Sequence, residues 1–145
     1  MATREDPTGT LAARYLELLA DEGYRPKLDG TETGDRNLVI RFKLEGQKFV
    51  VLVDEDDEGF FALGLSYDLG DVDLATAKDR ANELNEQLKA VKVIVSAQDR
   101  CVRFHVEAFL ESPATLPVLE RSMVALRNAA ASFFEPARRA DQLDA

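Results

Sequence analysis

The chain has 145 residues, 46% hydrophobic and 31% charged, enough for one core that buries roughly two thirds of the unfolded surface. A formal net charge of -9 and a pI near 4.6 set a field that repels phosphate backbones and anionic lipid, which excludes nucleic acid and membrane surfaces as expected partners and favours a basic protein segment. The lone cysteine cannot close an internal disulfide, and MATREDPTGT carries no apolar export segment, so the expectation is a soluble cytoplasmic protein.

Residues 1–9 read as a flexible polar tail. From Thr10, a candidate N-cap, Leu11, Tyr15, Leu18 and Leu19 fall on one helical stripe, and Gly23 sits where a left-handed C-cap residue belongs. Tyr24 to Asp29 reads as a short strand that Pro26, lacking a backbone donor, confines to a sheet edge. Gly30 to Asp35 is a turn-rich loop. Residues 38–67 then form a meander of three antiparallel strands. Leu38, Ile40, Phe42 and Leu44 alternate with Val39, Arg41, Lys43 and Glu45; Phe49, Val51 and Val53 resume the period after Gly46, and Phe61, Leu63, Leu65 and Tyr67 follow the acidic turn 54–59.

Asp73 caps a second helix whose buried stripe is Leu74, Ala77, Ala81, Leu84 and Leu88. Within it Asn82 and Asn85 stand one turn apart. Asparagine is a poor helix former, so two readings arise: the amides hydrogen-bond an unpaired stretch such as an edge strand, or they are exposed polar filler. Val91–Ala97 and Arg100–Leu110 make a hairpin turning at Gln98-Asp99. A last helix opens at Ser112-Pro113 or Thr115-Leu116-Pro117, buries Leu116, Leu119, Met123, Leu126, Ala130 and Phe133, and stops at Pro136. The expected organisation is a single domain over residues 10–136 with flexible tails at 1–9 and 137–145.

The second face of the sheet is the informative surface. Val39, Val50, Leu52, Phe60, Ile94 and Phe109 sit opposite the residues assigned to the core, leaving more apolar matter outside than water should meet. These six are the candidate protein-binding residues, for another protein or for a second copy in a homodimer.

Arrangements that could carry chemistry are weak. DEDDEG at 54–59 imitates the start of an EF-hand loop, but its twelfth place is Leu65 rather than a glutamate and its flanks are strands, so no metal is expected. Cys101 and His105 share a strand face about 13 Å apart, too far for a base to activate a thiol. No nucleophile elbow, phosphate-binding loop or dinucleotide turn is present. The expectation is a non-enzymatic protein with no catalytic residue and no cofactor.

The order helix, strand, meander, helix, hairpin, helix, with DEGYRP at 21–26, FVVLVDEDDEGF at 49–60 and ANELNEQLKAVKVIV at 81–95, resembles the YbjN-type family of bacterial sensory transduction regulators. The resemblance implies the fold of type III secretion chaperones: α+β, a twisted antiparallel sheet of five to six strands with three helices, in the order α-β-β-β-β-α-β-β-α. It further implies a small cytoplasmic regulator or chaperone-like adaptor that pairs with itself and has no cofactor. The other reading of the residues is a small-ligand-binding domain or minor enzyme with a pocket between sheet and helices.

Overall fold

In the computed structural model, which describes residues 10–29 and 37–135, alternation and turn chemistry build one antiparallel sheet in the spatial order β1-β2-β3-β4-β6-β5. Its strands are β1 (Lys27–Asp29), β2 (Asn37–Leu44), β3 (Gln47–Asp54), β4 (Phe60–Asp68), β5 (Val91–Ser96) and β6 (Cys101–Phe109). The helices are α1 (Leu11–Asp21), α2 (Leu74–Gln87) and α3 (Leu116–Phe134). This is the α+β class and the element order expected from the sequence, with β1 at the predicted edge. The expectations for both tails, for the 30–35 loop and for Pro136 as a helix stop fall outside the described residues.

Register follows the turns. Glu45 and Gly46 both take positive φ, 52° and 81°, the two-residue turn whose twist matches its strands, and it locks Leu44 opposite Gln47 and Phe42 opposite Phe49. Every inward residue of β2, β3 and β4 then faces the same side. Ile40, Phe49, Val51, Val53, Phe61 and Leu63 are fully buried there and meet Leu11, Tyr15 and Leu19 of α1, Leu84 of α2 and Leu126 and Phe133 of α3 in one core cluster.

The helices start where their caps dictate. Thr10, Asp73 and Thr115 each accept a hydrogen bond from the backbone N–H three residues on, which settles the start of α3 at Thr115 rather than Ser112. At the end of α1, Gly23 takes φ 90°, and its N–H and that of Tyr24 return to the carbonyls of Ala20 and Leu19, closing the C-terminus.

Two sequence features acquire structural causes. In the acidic turn, Glu55 Oε1 accepts from Ala12 N–H at 3.0 Å and Glu58 pairs with Arg14 at 3.5 Å, so the carboxylates meet the positively polarised start of α1. Asn85 Nδ2 donates to the Val93 carbonyl at 2.9 Å and its Oδ1 accepts from Val93 N–H at 2.7 Å. The amide thus stands in for a neighbouring strand on the edge of β5. Asn82 is exposed with no such partner among the described residues, so the filler reading holds for it.

Candidate interaction face

Because side chains alternate along a strand, the residues between the core positions form the opposite sheet face. Across it the register aligns Val39, Leu52, Ala62 and Glu107 in one row, and Arg41, Val50, Gly64, His105 and Lys92 in the next. Phe60 and Phe109 face each other at the β4–β6 end with ring centroids 5.6 Å apart. None of the six candidate residues joins the core cluster or packs against it. Leu52 keeps 39% of its surface exposed and Phe109 keeps 78%, while Val39, Val50, Phe60 and Ile94 are half-buried.

The six do not make one continuous patch. Val39, Val50 and Leu52 are neighbours on β2 and β3, with Phe60 and Phe109 at the end of the adjoining strands. Ile94 lies opposite Arg103 on the far side of β6, cut off by the polar run Arg103, His105 and Glu107. Ala62, which the alternation also puts on this face, is only 1% exposed because its larger strand neighbours cover it.

That polar run is held by contacts on the face itself. Lys92 Nζ pairs with Glu107 at 3.0 Å, and the His105 ring lies over Gly64, where an added Cβ would come within 3.2 Å of Nδ1. Burial lowers the His105 pKa from its ordinary value, with Arg103 and Lys92 adding to the effect and Glu107 opposing it. Cys101 sits opposite Ser96 and Asp68, two rows from His105, so the strand brings no base to the thiol. Among the described residues no group of three or more His, Cys, Asp or Glu is arranged to hold a metal ion.

One feature was not foreseen from the sequence. At the β1–β3 end of the sheet, beside the end of α1, an open groove of about 660 Å³ is lined by Arg25, Lys27, Arg41, Lys43 and Lys48, with Val50 on its wall and no acidic side chain among the described residues of its lining. The cations come from three separate stretches and converge only because the edge strand folds back beside β2.

The described residues form an open α+β sheet with its helices packed on one face and a partly apolar face opposite, so the class the fold defines is a small open-sheet α+β domain. Residues 13–139 match the family model YbjN, described as "Putative bacterial sensory transduction regulator", and the chain belongs to that family. No curated protein and no solved structure matches it. Among the described residues no helix is long and apolar enough to cross a membrane.

Proposed function

We propose that this protein is a non-enzymatic, cytoplasmic protein-binding module, a chaperone-like or regulatory adaptor whose single domain receives another protein, or a second copy of itself, on the open sheet face. The observation that carries the reading is the position of Leu52 and Phe109: large apolar side chains, 39% and 78% exposed, on the face away from the helices. Burying such groups contributes roughly 25 cal/mol for each Å² removed from water, and hydrophobic residues of this kind form the centres of interfaces. The regulator description of the family supports the same reading.

A photocrosslinking residue at position 109, with the same residue at 82 on α2 as control, tests it in cells producing the full chain. Protein adducts formed from 109, absent from 82 and lost on Leu52→Asp support the face as the docking surface. Equal adducts from both positions, or none from 109, overturn it.

A further inference from the structure

The groove at the β1–β3 end concentrates positive charge in a chain of net charge -9. Two like-charged pairs stand directly opposite each other in neighbouring ladders: Lys43 faces Lys48 across β2 and β3, and Lys27 faces Arg41 across β1 and β2. Such pairs repel and weaken a sheet when nothing neutralises them. Arg41 is relieved by Asp29, its Nε lying 2.7 Å from Oδ2. For Arg25, Lys27, Lys43 and Lys48 no acidic partner is found among the described residues. All five cations are exposed.

We infer that this groove receives an acidic, extended segment of the protein partner, whose carboxylates neutralise the Lys43–Lys48 pair and the unpartnered Lys27 and Arg25 while its apolar residues continue over Val50 onto the open face. The inference rests on the adaptor reading and deepens it by giving the partner a charge. It also reverses the expectation drawn from net charge, which favoured a basic partner.

Three considerations select this occupant. Arg41 and Lys43 are two residues apart on one strand, about 7 Å, which equals the spacing of alternate side chains on an extended peptide. The cations are therefore spread along a line rather than focused on a single phosphate. A long polyanion would leave the groove and meet the acidic remainder of the surface, including Asp54 to Glu58, so the fitting anion is short and sparsely charged. Finally, Val50 belongs both to the groove and to the apolar face, which makes one continuous track from charge to hydrophobe.

The test uses the full chain and a fluorescein-labelled twelve-residue peptide in which glutamate alternates with valine and leucine, read by anisotropy at low and high salt. Competitors are the same peptide with lysine for glutamate, inorganic phosphate and a single-stranded oligonucleotide. The expected result is binding of the acidic peptide that weakens with salt, weakens about tenfold in K43E/K48E and to a smaller extent in K43Q/K48Q, and is not displaced by the other three. The substituted positions are exposed, and thermal melts verify that the variants fold. The inference is overturned if the acidic peptide does not bind, if the lysine peptide or the oligonucleotide binds at least as tightly, if phosphate displaces the peptide, or if K43E/K48E binds unchanged. In that last case, weakening by L52D/F109D leaves the apolar face standing as a docking surface while the groove falls. Indifference to both double variants removes both.

Discussion

Replacing Asn85 by alanine separates a hydrogen bond from a helix propensity at one position. The amide makes two bonds to the Val93 peptide, at 2.9 and 2.7 Å, and the Val93 side chain is 3% exposed. Each such bond contributes a net of about 0.5–1.5 kcal/mol, so removing both costs about 1–3 kcal/mol. Alanine returns about 0.6 kcal/mol of helix propensity over asparagine. The expected net loss is about 0.4–2.4 kcal/mol. Asn82→Ala, one turn away on the same helix, removes no such bond and gains the same propensity, so it should stabilise by about 0.5 kcal/mol. Urea unfolding monitored by far-UV circular dichroism gives both values from midpoint shifts at constant slope. The difference between the two variants, about 1–3 kcal/mol, isolates the edge contact from any property of asparagine. Asn85→Asp keeps the acceptor for Val93 N–H but sets a carboxylate against the Val93 carbonyl, and should recover none of the loss. Equal midpoint shifts in Asn85→Ala and Asn82→Ala would show that the Val93 contact adds no stability, as would full stability in Asn85→Asp. The uncapped edge also offers the Val93 peptide to other chains, so Asn85→Ala should aggregate with a dependence on concentration that Asn82→Ala lacks.

Three other outcomes follow from burial and charge. Tyr15 is 1% exposed and its hydroxyl has no hydrogen-bond partner among the described residues, and burial pushes its pKa up to about 12, so Tyr15→Phe should stabilise by about 1 kcal/mol in urea melts. Its neutral form is favoured by folding, so that contribution is complete below pH 10.0 and lost as pH rises through about 12, a decline that Tyr15→Phe should reduce. Phe104, fully buried with rings of Tyr67 and Phe133 at 6.2 and 5.8 Å, should cost about 3–5 kcal/mol on truncation to alanine, whereas Phe109→Ala should stay within about 0.5 kcal/mol. Comparable losses would show that Phe109 is part of the core. His105, depressed below its ordinary 6.5, contributes stability that is complete above 6.5 and lost as pH falls through the depressed value. Thermal melts across that window should fall for the wild type and fall less for His105→Gln; parallel curves would remove the histidine from the account.

The fold was legible because period-2 and period-3.6 patterns are local properties that tertiary packing here reinforced. Ile40, Phe42, Phe49, Val51 and Val53 announce their face by alternation alone, and Gly46 fixes the register that makes the alternation count. The same pattern exposes Leu52 and Phe109 but cannot say how neighbouring strands shade a small residue, which is why Ala62 reads as outward yet is covered. Nor can it order strands that are distant in sequence. Ile94 shares the outward face, but β5 lies beyond β6, with Arg103, His105 and Glu107 between it and the other five.

The groove was hidden for a stronger reason. Net charge sums over the chain, whereas a partner feels the field over about a Debye length, roughly 8 Å at physiological ionic strength. Arg25 and Lys27 precede the edge strand's return, Arg41 and Lys43 follow it, and Lys48 lies past the hairpin, so no window of sequence contains the site. The acid that sets the average is spent elsewhere: Glu55 and Glu58 meet the start of α1, and Asp73 caps α2. Those carboxylates are engaged in holding the fold, and the described side chains that line the groove at the β1–β3 end carry charge of the opposite sign to the chain average. A partner selected by that end need not resemble the one that a charge of -9 would select.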